Sequence, residues 1–107
     1  MNAEALKGHL DLLLLAAVER RPAHGYAIAD ALRERSGETF DLPEGTLYPA
    51  LHRLERAGLL TSRWSELNGR RRRVYELTAK GRRALAERRD EWTLFARGVD
   101  AVIGGSR

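Results

Sequence analysis

The segment Leu42–Leu60, LPEGTLYPALHRLERAGLL, constrains this chain more than any other, because its two faces ask for different partners. Leu47, Leu51 and Leu54 recur at helical spacing with Ala50 and Ala57 beside them, which predicts one side of a helix lying on a core. The other side carries Thr46, Tyr48, His52, Arg53 and Arg56, whose hydroxyl, imidazole and guanidinium groups suit phosphates and base edges. Pro43 fits the first helical position, where its missing N–H would lack an intrahelical partner anyway, and Glu44 then meets the positive end of the helix dipole. Pro49 leaves two options: a helix from Pro43 bent by one lost backbone bond, or a later start capped by Thr46. The earlier start is favoured, and Gly58 ends the helix.

On either side of this segment the period of the apolar residues changes. A first helix is predicted from Glu4 or Ala5 to Arg20, with Leu6, Leu10, Leu13, Leu14, Ala17 and Val18 as its stripe. Leu12 and Leu15 carry apolar surface onto the flank, so this helix asks for a second cover, which another subunit can supply. His24 and Gly25 lead into a second helix ending near Arg35, with Ile28, Ala29 and Leu32 inward, Ser36 and Gly37 closing it, and Phe40 as a core plug in the following link. Beyond Gly58 the pattern alternates, which predicts a strand over Leu59–Glu66 with Leu60, Ser62 and Trp64 on one side, Trp64 either packed under the hairpin or exposed. Asn68 and Gly69 form a hairpin turn, and the return strand runs Arg71–Leu77 with Tyr75 and Leu77 on a common face.

Strand alternation puts Arg71 and Arg73 on one side and Arg72 on the other, so Arg70, Arg71 and Arg72 are the candidates for phosphate or minor-groove contact. Arg73 has Glu66 and Glu76 as candidate partners. Thr78 caps a last helix from Ala79 to about Ile103, roughly 38 Å at 1.5 Å per residue. Its apolar residues Leu85, Trp92, Phe95, Val99, Val102 and Ile103 fall near a heptad seam that Arg88 or Arg89 interrupts and Gly104 and Gly105 terminate. A helix of that length cannot bury such a stripe alone. The expectation is a homodimer closed by this helix against Leu12 and Leu15 of the partner's first helix, with folding back onto its own domain as the alternative.

The predicted fold is mainly α (α+β), a winged helix-turn-helix of three helices and a two-stranded β-hairpin wing over residues 1–77, followed by one long C-terminal dimerisation helix over 78–107. Charge bears on its partner. The chain of 107 residues carries a net +4, but Arg53–Arg83 alone carries +7 and the remainder −3, the footprint of a surface that meets a polyanion. Without cysteine there is neither a disulfide nor a thiolate metal site, and His9, His24 and His52 fall at no ligand spacing, so no metal and no cofactor are expected. The apolar run Leu10–Val18 is interrupted by Asp11 and too short for a bilayer, which takes roughly 20 residues, so a cytoplasmic location and no membrane are expected. No nucleophile stands beside a base and no glycine loop cradles phosphate, so an enzyme is the least supported class. A protein-interaction module whose basic face meets an acidic partner is the alternative to DNA.

Three stretches in order, HGYAIADAL at His24–Leu32, LPEGTLYPALHRLERAGLL at Leu42–Leu60 and GRRRRVYELTAKG at Gly69–Gly81, together resemble the PadR family of bacterial regulators. The resemblance implies a winged-helix repressor that binds double-stranded operator DNA as a dimer, third helix in the major groove and wing along the backbone. It is similar to the smaller subgroup with a single C-terminal dimerisation helix. Some relatives bind planar drugs or phenolic compounds between those helices, where a tryptophan stacks on the ligand. Trp92 stands in a similar place, which implies a small aromatic effector; packing on the partner helix is the other reading.

Overall fold

The computed structural model describes residues 8–104, which form four helices and a three-stranded antiparallel sheet. Helix α1 spans Leu10–Ala17, strand β1 Ala23–His24, α2 Gly25–Arg35, α3 Glu44–Arg56, β2 Leu60–Leu67, β3 Arg70–Leu77 and α4 Ala79–Ile103. The expected winged-helix plan is present, and β1 adds a third strand to the wing, in the order β1-β3-β2 with Ala23 opposite Tyr75 and His24 opposite Val74. A two-residue strand has no period to read, so only the packed structure reveals it.

The core gathers round α1. Leu14, Leu15 and Val18 meet Ile28 and Leu32 of α2, Leu47, Ala50, Leu51 and Leu54 of α3, Leu60, Tyr75 and Leu77 at the inner end of the hairpin, and Leu85 of α4. Each such leucine contributes about 1.5–3 kcal/mol by leaving water. The apolar spacing of α3 is therefore spent inward as expected, except at Ala57, which is exposed because it is the C-cap and lies beyond the last packed turn.

Helix ends follow their local chemistry. Pro43 is the N-cap of α3 and Glu44 its first residue, the early start, with Pro49 inside the helix. At the other end Gly58 takes φ 81°, the Gly58 N–H donates to the Glu55 carbonyl and the Leu59 N–H to the Leu54 carbonyl, both at 3.0 Å, which is the double bond of a Schellman turn. The first helix is shorter than predicted. Gly8 adopts φ 97°, which a right-handed helix excludes, so α1 begins at Leu10, and it ends at Ala17 as the chain turns toward Pro22 and β1. Positions 4–7, Leu6 among them, and Gly105 lie outside the described residues.

Helix α4 is clamped at its start. Thr78 Oγ1 accepts from the Gly81 N–H at 2.9 Å and donates to the Gly58 carbonyl at 2.6 Å, while Lys80 Nζ reaches the Ala57 carbonyl at 3.0 Å. A Cβ on Gly81 would collide with the Leu59 carbonyl, so α4 leaves directly from the end of α3. Its first half lies on α1: Leu85 is buried, Arg89 makes two bonds to Glu19 at 2.8 and 3.2 Å, and Arg88 reaches Asp11 at 3.5 Å. The arginines that interrupt the seam are thus the ones that pair with Asp11 of α1 and with Glu19 just beyond its end. From Leu94 onward the helix projects, with Leu94 73%, Phe95 58%, Val102 86% and Ile103 69% exposed. The molecule measures 52 × 28 × 22 Å, and its 15.0 Å radius of gyration exceeds the roughly 13 Å of a compact domain this size. Two residues expected in the dimer seam are corrected by this packing: Leu15 is 0% and Leu85 2% exposed, both inside the protomer's own core, because α4 covers its own α1 before it projects.

Candidate nucleic-acid interface

With Leu47, Ala50, Leu51 and Leu54 facing inward, the helical period turns Gly45, Pro49, His52 and Arg56 outward in one row, and all four are exposed. Pro49 has no N–H, so the Gly45 carbonyl has no donor four residues on. His52 and Arg56 enter no hydrogen bond or ion pair among the described residues, which leaves an imidazole and a guanidinium for an outside partner. The other predicted α3 residues are less free. Thr46 is half-buried. The Tyr48 ring packs so closely over Gly25 that a Cβ there would strike it, making Tyr48 part of the α2–α3 joint. Arg53 is held by Asp11 of α1 at 2.9 Å, on the flank of the row.

The wing is fixed to α3 from beneath. Ser62 donates to Glu55 at 2.7 Å, and Arg73 Nε donates to Ser62 Oγ at 2.8 Å with its NH2 3.9 Å from Glu55. Neither Glu66 nor Glu76 takes Arg73. In the ladder Arg73 lies opposite Trp64 and faces α3, Glu66 lies opposite Arg71, and Glu76 is on the other face, paired with Arg63 at 2.9 Å. Trp64 is 55% exposed, with the Arg71 and Arg73 guanidiniums 4.7 and 5.2 Å from its ring centre, so it stands out as a platform between two cations. At the tip Asn68 and Gly69 have φ 55° and 75°, the two positive values that the turn demands. Arg70 is exposed and makes no ion pair among the described residues.

Arg72 points the other way, over the ring of Tyr26 at 5.7 Å. Tyr26, in the first turn of α2, is 54% exposed, and its hydroxyl donates to Glu44 Oε1 at 2.8 Å. That bond to a carboxylate, with the negative charge beside it, raises the Tyr26 pKa. The N-termini of α2 and α3 and the outer half of the wing therefore converge on one Tyr–Glu–Arg group. Periodicity did not single out Tyr26, Glu44's partner, or Trp64's two cations; the available signal was an aromatic at the start of a helix beside a glycine. At the same corner His24 caps α2, its Nδ1 accepting from the Ala27 N–H at 3.3 Å, and burial together with the Arg72 charge lowers its pKa.

A second feature lies between the α1 region and α4. His9, Asp11 and Leu12 of the α1 region and Arg88, Glu91, Trp92 and Phe95 of α4 line a cleft of about 340 Å³. Trp92 is 43% exposed, with His9 edge-on at 5.2 Å and Phe95 tilted at 5.8 Å. Further along, Phe95, Gly98, Val99, Val102 and Ile103 bound an apolar groove on the projecting end. Among the described residues no helix is long and apolar enough to cross a membrane.

Comparison with known proteins agrees with this architecture. Residues 14–87 match the model of the transcriptional regulator PadR-like family. The chain is 47% identical over 73 residues to the transcriptional regulator Rv3488 of Mycobacterium tuberculosis, a match spanning 68% of this chain and 65% of that protein. A protein of Lysinibacillus sphaericus is 26% identical over 106 residues, 98% of this chain and 97% of its own length. Among solved structures, a transcriptional regulator from Clostridium thermocellum superposes with a TM-score of 0.84 at 27% identity, covering 94% of this chain and 96% of that one. A PadR family transcription regulator from Clostridium difficile does so with 0.78 at 37% identity, covering 92% and 100%.

Proposed function

This chain belongs to the PadR-like family of transcriptional regulators, and from that premise we propose that it binds double-stranded operator DNA as a homodimer and acts as a repressor. The observation that carries the reading is the exposed row Gly45, Pro49, His52 and Arg56, together with the basic Arg70, Arg71 and Arg72 on a wing that Glu55 and Ser62 hold to the same helix. The row has the width of a reading helix with small residues at its N-terminal end, where such helices meet base edges, while the arginines neutralise phosphates. Residues 1–77 make the reading head. Residues 78–107 make the dimer contact, through the exposed Trp92, Phe95, Val99, Val102 and Ile103, to which Leu94 is added, with Leu12 of the first helix as a further contact. The cleft beside Trp92 accepts a small aromatic or hydrophobic effector, whose binding shifts the angle between the two heads by favouring one dimer state.

The test is fluorescence anisotropy with labelled duplex from immediately upstream of the protein's own gene against a shuffled duplex, at two salt concentrations. A preference of about tenfold, equivalent to about 1.4 kcal/mol, with steep salt dependence is expected. Replacing Arg70, Arg71 and Arg72 by alanine should weaken binding to both duplexes and flatten the salt slope; unchanged affinity removes the wing from the interface. Equal weak binding of both duplexes by the wild type favours an acidic protein partner for the basic face.

A further inference from the structure

Glu44 is an acid at the end of α3 that, on the reading above, faces a polyanion. It is exposed, and among the described residues no arginine or lysine pairs with it. Its Oε1 instead accepts the Tyr26 hydroxyl at 2.8 Å, and Arg72 of the wing lies over the tyrosine ring. The helix dipole stabilises an acid in the first turn wherever its carboxylate points. The tyrosine bond adds a direction, supplied from a different helix, and leaves Oε2 open.

An ionised carboxylate only accepts hydrogen bonds. Against phosphate it repels. In the major groove it is satisfied by an exocyclic amine, and the cytosine N4 amine is the usual partner of Glu and Asp. Recognition helices present their N-terminal residues to base edges, and here Gly45, next in the chain, has nothing within 4 Å of where a side chain would begin, so the backbone is open to close approach. We infer that Glu44 is a specificity-determining residue that selects cytosine at one position of the binding site, with Tyr26 as the positioning residue that orients its carboxylate. The inference rests on the DNA-binding reading and assigns to one acid a part of the sequence preference.

The experiment selects bound duplexes from a randomised library with the full wild-type chain, Glu44→Gln, Glu44→Ala and Tyr26→Phe. The wild type should fix a C·G pair at one position. Glu44→Gln should change that position alone to A·T, because an amide pairs with adenine N6 and N7, and Glu44→Ala should lose discrimination there by about tenfold while binding non-specific duplex more tightly. Tyr26→Phe should keep the cytosine with a smaller preference. Both side chains are exposed, so only small shifts in thermal melts are expected, and a change of selected base is not a result that mere loss of structure produces. Selection of the wild-type motif by both Glu44 variants overturns the assignment, and wild-type selectivity in Tyr26→Phe overturns the positioning role. A wild-type chain that selects no motif overturns the DNA reading itself and this assignment with it.

Discussion

A single side chain at the α2 cap should make the α2–α3 pair sensitive to acid. His24 is a hydrogen-bond acceptor through Nδ1, a role only the unprotonated nitrogen can fill, and its pKa is lowered by burial and by Arg72. The unfolded chain therefore takes up this proton at a higher pH than the folded one. Its contribution to stability is complete above the unfolded value, about 6.5, and is lost as pH falls from there through the lower folded value. Chemical denaturation at pH 7.5 and 5 should show that loss, on the order of the 1 kcal/mol of an N-cap, and His24→Ser, which caps without titrating, should remove the His24 share of it. An identical pH dependence in the two proteins would assign the effect elsewhere. Residue types were readable ahead of the structure, but their employment was only partly so. His52 and Arg56 are free as the pattern suggested, whereas Tyr48 is spent on Gly25 and Arg53 on Asp11, because an exposed-face position close to another element is taken by that element.

Among the elements, α1 is the junction. Asp11 receives Arg53 from α3 at 2.9 Å and Arg88 from α4 at 3.5 Å, so one carboxylate links α3 to the helix that projects. Both pairs are partly solvated, and breaking them should change stability by no more than about 1 kcal/mol. Function should respond more. Asp11→Asn removes an acid and frees the Arg53 guanidinium beside the exposed row of α3, so non-specific duplex should bind more tightly and the salt slope should steepen by up to about one counterion. Anisotropy across a salt series measures both, and a slope equal to wild type would show that Arg53 stays out of reach of phosphate. Helix periods, the Thr78 cap, the Gly58 stop and the Asn68–Gly69 turn were legible because each is written within a few neighbouring residues. The Asp11 pairs were not: they join positions 42 and 77 residues apart.

For the whole molecule the decisive quantity is the surface that α4 leaves uncovered. Val102 is 86% and Phe95 58% exposed on a helix end that touches little of its own protomer, with Gly98 between them open to a close helix approach. Phe95→Glu with Val102→Glu should convert the proposed dimer to a monomer in sedimentation while barely moving the melting temperature of the domain, whose core does not include either side chain. Affinity for a two-fold site should fall by about a hundredfold or more as the second head loses its effective concentration. An unchanged sedimentation coefficient in the variant would place the dimer contact elsewhere. By itself the sequence determined the order of the helices and the hairpin, the inward face of α3, the basic wing and the apolar C-terminal helix, since these depend on period, capping and charge that act over one or two turns. Only the tertiary structure decided which of those groups remain free, because a side chain's availability depends on what the fold brings against it. Packing took Leu15 and Leu85 into the protomer's own core, tied Arg73 to Glu55, and set Tyr26 on Glu44 from a different helix.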